Sequence, residues 1–157
     1  MTSTAGSPVV VVHGPPGTGK TTTISSAAEI WSKKINKPVW IVGYSNVAVK
    51  NIAEKLLERD VDFKLVVSVE FYVEWHEHIY EKIQEKLIRT DRLPKHQLAL
   101  SRKIGSSTVI LSTLTLLSNP ALEQNGMFDI VPVRNLVVDE ASQIDIFEYM
   151  ASSGYFQ

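Results

Sequence analysis

Apolar residues in this chain fall into short β-branched runs, separated by stretches where they recur every three or four positions. That alternation predicts strands alternating with helices, the pattern of an α/β protein built on a parallel sheet. Val9, Val10, Val11 and Val12 lead into His13, so residues 9–13 are the first expected strand. Ile24, Ala27, Ala28 and Trp31 share one helical face and predict a helix over 20–33. Residues 38–43 are the second strand. Ser45 and Asn46 then start a helix carrying Val47, Val49, Ile52, Ala53, Leu56 and Leu57. Residues 63–69 are nearly continuous in apolar side chains, which predicts a strand buried on both faces.

Over residues 71–89 the pattern becomes that of a longer, charged helix. Tyr72, Trp75, Ile79, Ile83 and Leu87 form one stripe, and Glu85 with Arg89 is a favourable i,i+4 pair. The stripe reads as packing against the body of the domain rather than as a partner-binding groove. A basic-tinged stretch over 89–103 is broken by Pro94. Residues 107–113 are another strand, 119–127 are rich in turn residues, and 133–138 are a further buried strand. With no internal repeat and 157 residues, the chain suits one domain, 1–157, with a helical insertion over 71–103.

Sixteen basic residues against seventeen acidic ones exert no global pull on nucleic acid or anionic lipid, so polyanion binding needs a local site. There is no cysteine, which excludes disulfides and thiolate metal sites. The first residues lack a basic region, and no apolar run approaches a membrane span. The expectation is a soluble, intracellular protein of cytoplasm or nucleus with no membrane partner.

The richest chemistry follows the first valine run. Gly14-Pro15-Pro16-Gly17-Thr18-Gly19-Lys20-Thr21 fits the phosphate-binding pattern G-x-x-x-x-G-K-[ST] between an expected strand and an expected helix. Glycines 14, 17 and 19 let backbone N–H groups turn toward a phosphate, and the helix N-terminus adds free donors and a positive dipole end. Lys20 reaches the β- and γ-phosphates, and the Thr21 hydroxyl suits Mg²⁺. The candidate nucleotide-binding set is Gly14, Pro15, Pro16, Gly17, Thr18, Gly19, Lys20, Thr21 and Thr22.

The last strand delivers Asp139 and Glu140, adjacent carboxylates where an open α/β sheet places its site. An aspartate there can hold Mg²⁺ opposite Thr21, and a neighbouring glutamate can take a proton from attacking water. Several strands between loop and carboxylates favour a RecA-like ATPase over a small-molecule kinase.

Together these segments resemble the front half of a superfamily 1 helicase, closest to the up-frameshift, nonsense-mediated-decay branch. The phosphate loop looks like motif I. Tyr44-Ser45-Asn46-Val47-Ala48-Val49 resembles motif Ia, and Leu111-Ser112-Thr113-Leu114-Thr115 is similar to motif Ic. Val137-Val138-Asp139-Glu140-Ala141-Ser142-Gln143 looks like motif II. The resemblance implies a RecA-like P-loop fold and ATP with Mg²⁺ at Gly17, Gly19, Lys20, Thr21 and Asp139. It implies Glu140 as catalytic base, with Lys20 and Gln143 also catalytic, the latter sensing the γ-phosphate or coupling to neighbouring motifs. It further implies weak single-stranded RNA or DNA contacts at Ser45, Asn46 and Thr113. A plain helix cap is the alternative for Ser45-Asn46, and an ordinary strand-end threonine for Thr113.

The family's adenine-recognition glutamine motif normally precedes motif I, and thirteen residues stand here before Gly14. The chain ends at Gln157 before any G-D-x-x-Q motif III or second lobe with arginine fingers. The expectation is therefore weak or no hydrolysis and no unwinding by this chain alone, with a second lobe or another protein as partner. The alternative is a non-catalytic nucleotide-binding or interaction module. His76-Glu77-His78 lacks the i,i+4 histidine spacing of a helical zinc site and reads as a solvated face. His13 reads as positional. Trp31 and Trp40 read as core rather than base-stacking platforms, Trp75 being the third such indole. Lys95, His96, Arg102 and Lys103 read as a solvated stretch.

Overall fold

The computed structural model describes residues 10–75 and 81–144. Strands β1 (Val39–Gly43), β2 (Phe63–Val67), β3 (Leu87–Arg89), β4 (Val109–Thr113) and β5 (Leu136–Asp139) form one parallel sheet, ordered β3-β2-β4-β1-β5. Around it lie α1 (Lys20–Glu29), which continues through a wider π turn over Ile30–Ile35, and α2 (Asn46–Glu58). Then come α3 (Val69–Trp75), α4 (Glu81–Gln84), α5 (Gln97–Ile104), α6 (Leu114–Leu117), α7 (Pro120–Gln124) and α8 (Met127–Ile130).

Strand side chains alternate between two apolar layers, as the two-residue period of a pleated strand requires. Val39, Ile41, Phe63, Leu65, Val67, Val109 and Leu111 pack with Ala28 of α1 and Val49, Ile52, Ala53 and Leu56 of α2. Trp40, Val42, Val66, Ile88 and Ile110 pack on the other face with Leu100, Ile104, Leu114, Leu117, Leu122 and Met127. Coverage on both faces is what a near-continuous apolar strand demands.

Strand register brings the carboxyl ends level. Gly43 pairs with both Thr113 and Asp139, and Val67 pairs with Arg89. Two residues past the Leu65–Leu111 partners, Val67 and Thr113 also stand abreast. Arg89, Val67, Thr113, Gly43 and Asp139 thus form one row, with about 4.8 Å between neighbours.

Three expectations change. Residues 10–13 form no strand: Val10, Val11 and Val12 are 81%, 84% and 63% exposed. A β-branched run favours extended backbone, but a strand also needs a ladder partner for its N–H and C=O groups. Val9 lies outside the described residues. Next, the helix expected over 71–89 starts earlier, at Val69, and its end is a strand. Leu87 and Ile88 pair with Leu65 and Val66, satisfying the outer edge of β2, so the 71–103 segment is not wholly helical. The helical period is overridden by a sheet edge that needs a partner. Arg89 accordingly bonds Asp91, at 3.0 and 2.8 Å, rather than pairing with Glu85. His76, Glu77, His78, Ile79 and Tyr80 lie outside the described residues. Finally, α5 occupies part of the basic stretch, and α7 and α8 occupy the turn-rich one. Asn119 caps α7 by accepting from the Ala121 N–H at 2.9 Å, with Pro120 in the first turn.

Candidate nucleotide and nucleic-acid site

Two parallel helices carry the site's first half. Glu29 near the end of α1 bonds Arg59 at the end of α2 at 3.1 Å, and Lys33 donates to the Arg59 carbonyl at 3.0 Å. The Arg59 and Lys33 hydrogen bonds hold the Glu29 carboxyl below its ordinary range. With both C-terminal ends together, both N-termini point the same way. The Thr108 hydroxyl, below β4, meets the Ser32 hydroxyl at 3.3 Å. From Ser32 back to Lys20 is about 18 Å of helix at about 1.5 Å per residue. From Thr108 to Thr113 is about 17 Å of strand at about 3.3 Å per residue. α1 thus has the length to reach from the Ser32–Thr108 contact to the row of carboxyl ends, on the sheet face that carries α1 and α2.

The loop itself is open. Gly17 and Gly19 have φ of 80° and 85°, left-handed values that disfavour a side chain, and no atom lies within 4 Å of a Cβ built at either. A Cβ at Gly14 would meet the Thr18 hydroxyl oxygen at 2.6 Å, which itself donates to the Pro15 carbonyl at 2.8 Å. Gly19 precedes α1 with no side-chain cap, and the first turn carries no acidic residue. The positive end of that helix is thus uncompensated. Lys20 folds its ammonium onto the Gly14 and Pro15 carbonyls at 2.6 and 3.0 Å. Thr21 is half-buried behind it, and Thr22 is exposed.

Asp139 is 8% exposed, and its Oδ1 accepts from the Glu140 N–H at 3.0 Å. Glu140 adopts a left-handed backbone, φ 56° and ψ 34°, which turns the chain sharply out of β5. Gln143 follows in a 3₁₀ turn over Ala141–Gln143, its N–H bonded to the Glu140 carbonyl at 2.9 Å, and is exposed. An open anion cradle with a cation, a half-buried hydroxyl and a buried carboxylate fits a triphosphate with Mg²⁺. Among the described residues no cluster of three His, Asp or Glu offers a separate metal site.

The nucleic-acid candidates lie on the same margin with mixed surroundings. Ser45 caps α2 by accepting from the Ala48 N–H at 3.1 Å. Asn46 donates its amide to the Glu74 carboxylate at 3.3 Å. Thr113 is 8% exposed and caps α6 through Leu116 N–H at 3.4 Å, so its hydroxyl already has a structural task. Sequence reasoning missed α3 as a neighbour of this margin. Phe71 and Trp75 stack at 5.3 Å, and Lys50 lies 5.7 Å from the Trp75 ring centre. The buried Trp75 indole N–H has no partner among the described residues. The Arg89 guanidinium stands 4.4 Å from the Tyr72 ring centre. Nothing in the apolar stripe signals these polar contacts, since they depend on how α3 meets α2.

Of the remaining candidates, His13 is exposed, Trp40 is fully buried and donates to the Val131 carbonyl at 3.0 Å, and Trp31 packs partly buried against the core. Lys95, His96, Arg102 and Lys103 are exposed, the last two compensating the dipole at the end of α5. No helix among the described residues is long and apolar enough to cross a membrane.

Residues 1–151 match the model of a family described as AAA domain. Over 134 residues the chain is 30% identical to the DNA replication ATP-dependent helicase/nuclease DNA2 of Bos taurus, covering 85% of this chain and 12% of that protein. It is 44% identical over 57 residues to an uncharacterized ATP-dependent helicase of Methanocaldococcus jannaschii, covering 36% and 8% respectively. A protein of Takifugu rubripes bearing the name regulator of nonsense transcripts 1 is 41% identical over 49 residues, covering 31% and 4%. The chain therefore spans a small part of the length of each of these relatives.

Proposed function

This chain belongs to the AAA domain family, among superfamily 1 helicases with an α/β RecA-like P-loop fold, and from that premise we propose that it is an ATP–Mg²⁺-binding lobe of an RNA or DNA helicase. The observation supporting this reading is the pair of complementary halves: an open glycine loop at an uncompensated helix N-terminus, and a buried carboxylate at the carboxyl end of β5.

Residues divide the work by their chemistry. Backbone N–H groups of Gly17 and of Gly19 to Thr22 suit phosphate oxygens. Lys20, now on two loop carbonyls, can exchange them for the stronger charge-assisted bonds to phosphate. Thr21 and Asp139 would hold Mg²⁺, which supplies charge neutralisation at the phosphates when bound. Glu140, directed away from the strand by its left-handed turn, holds the proton taken from water. Gln143 lies one 3₁₀ turn on and couples that region to neighbouring segments. Ser45, Asn46 and Thr113 contact a single strand weakly.

Lys20→Ala tests this. Loss of the ammonium should weaken ATP affinity by about 10- to 100-fold in calorimetry, the value of a charge-assisted hydrogen bond. Equal affinity in both proteins overturns the assignment. One observation favours a second reading, a non-catalytic interaction module. Exposed Val10, Val11 and Val12, and a β5 that among the described residues pairs with β1 alone, present apolar surface and a strand edge.

A further inference from the structure

Two contacts tie the start of α2 to α3, and three more hold α3 and Arg89. Asn46 Nδ2 donates to Glu74 Oε2 at 3.3 Å. Lys50, one helical turn further on the same face, lies over Trp75. Phe71 stacks on Trp75, which fixes α3 against the core with both rings 4% exposed. Arg89 is clamped by Asp91 and set on the ring of Tyr72. The side chain that a strand phosphate needs at Asn46 is thus already bonded to a carboxylate.

We propose that Glu74 competes with the phosphates of a single strand for the Asn46 amide, so that α3 sets the affinity of the strand site. This rests on the strand contacts assigned above to Ser45 and Asn46. The Asn46 amide has two N–H donors, but a carboxylate held on one repels a phosphodiester brought to the other, so the two anions disfavour each other at this group. Glu70, on the same helix, adds negative charge beside Glu74, whereas Asp91 is already paired with Arg89. Both partners of the Asn46–Glu74 bond lie at the surface, so exchange costs little burial. Glu74 is a positioning residue here: it acts through Asn46.

Anisotropy of fluorescein-labelled oligo(U) and oligo(dT) with the full chain tests this in Glu74→Gln, Glu74→Ala, Asn46→Ala and the Glu74→Ala/Asn46→Ala double variant. At about 50 mM salt both Glu74 variants should bind about three- to five-fold tighter than wild type, with most of the gain lost at about 500 mM. The gain should vanish on the Asn46→Ala background. A gain that persists there reflects general charge and overturns competition at Asn46. If Glu74 variants bind no tighter while Asn46→Ala binds more weakly, the strand site stands and the competition falls. If Asn46→Ala binds as wild type, or no variant binds at all, the strand site itself falls and this inference with it.

Discussion

Glu140 occupies the left-handed region, where a side chain with a Cβ costs about 1–2 kcal/mol and usually signals a demand from elsewhere. Here the demand is the sharp exit from β5 beside a buried Asp139. Glu140→Gly should relieve the strain, partly offset by glycine's greater freedom when unfolded, and raise Tm by about 1–3 °C in scanning fluorimetry. Glu140→Gln should keep the Tm of wild type. Both should bind ATP and lose turnover in a phosphate-release assay. Much of this scale was legible beforehand. Gly17 and Gly19 carry their positive φ in their identity, and the cap, given as the alternative for Ser45, is legible from its place before an apolar helix. The backbone of Glu140 was not legible, because glutamate carries no signal for positive φ. Nor was the burial of Thr113, which depends on α6 closing over it.

Elements are held in register by small polar ties at their ends. Asp62 precedes β2, Lys86 precedes β3 and Ser107 precedes β4. The Asp62 carboxylate accepts from both neighbours, linking the amino ends of three strands. Burial pushes the Asp62 carboxyl up, but hydrogen bonds from Ser107 and Lys86 outweigh it and leave it below its ordinary value. A folded value below the unfolded one contributes stability above the unfolded pKa, about 3.9, that is lost as pH falls through the folded value. Asp62→Asn should therefore lower Tm by about 2–3 °C at pH 7, a loss of roughly 1 kcal/mol for a partly exposed group. The gap should close progressively below about pH 4. An equal gap at pH 3 and pH 7 would show that the carboxylate's charge is irrelevant. The element scale also shows where periodicity misleads. Leu87 fits a helical stripe, yet β2 had an outer edge to satisfy, and Leu87 and Ile88 are buried in a strand that meets it. No local pattern reports a need that arises 22 residues away, the distance from Leu65 to Leu87.

At the scale of the whole molecule, the sheet is covered on both faces but unevenly at its margins. Leu136, Val137 and Val138 of β5 are half-buried, whereas β1, one place inward, is wholly buried. Val10, Val11 and Val12 are exposed nearby in sequence to the phosphate loop. An exposed apolar run and a strand edge with no partner among the described residues each promote association between copies. Sedimentation velocity should show concentration-dependent association of the wild type, reduced by Val11→Lys. A wild type that stays monomeric across the range would show that the valines find cover within their own chain. The alternating strand–helix order and the parallel sheet followed from sequence pattern alone, because apolar runs and helical periods mark element type. Strand order did not, since it depends on which edges remain to be filled.

The stacked pair of Phe71 and Trp75 also gives the protein a built-in optical gauge. Trp40 is sealed in the opposite layer and Trp31 sits along the flank of α1, so Trp75 is the indole whose surroundings change if α3 shifts. Its emission should move to longer wavelength as oligonucleotide is added, without any attached dye. A spectrum indifferent to saturating strand would mean that α3 stays in place while the strand is held.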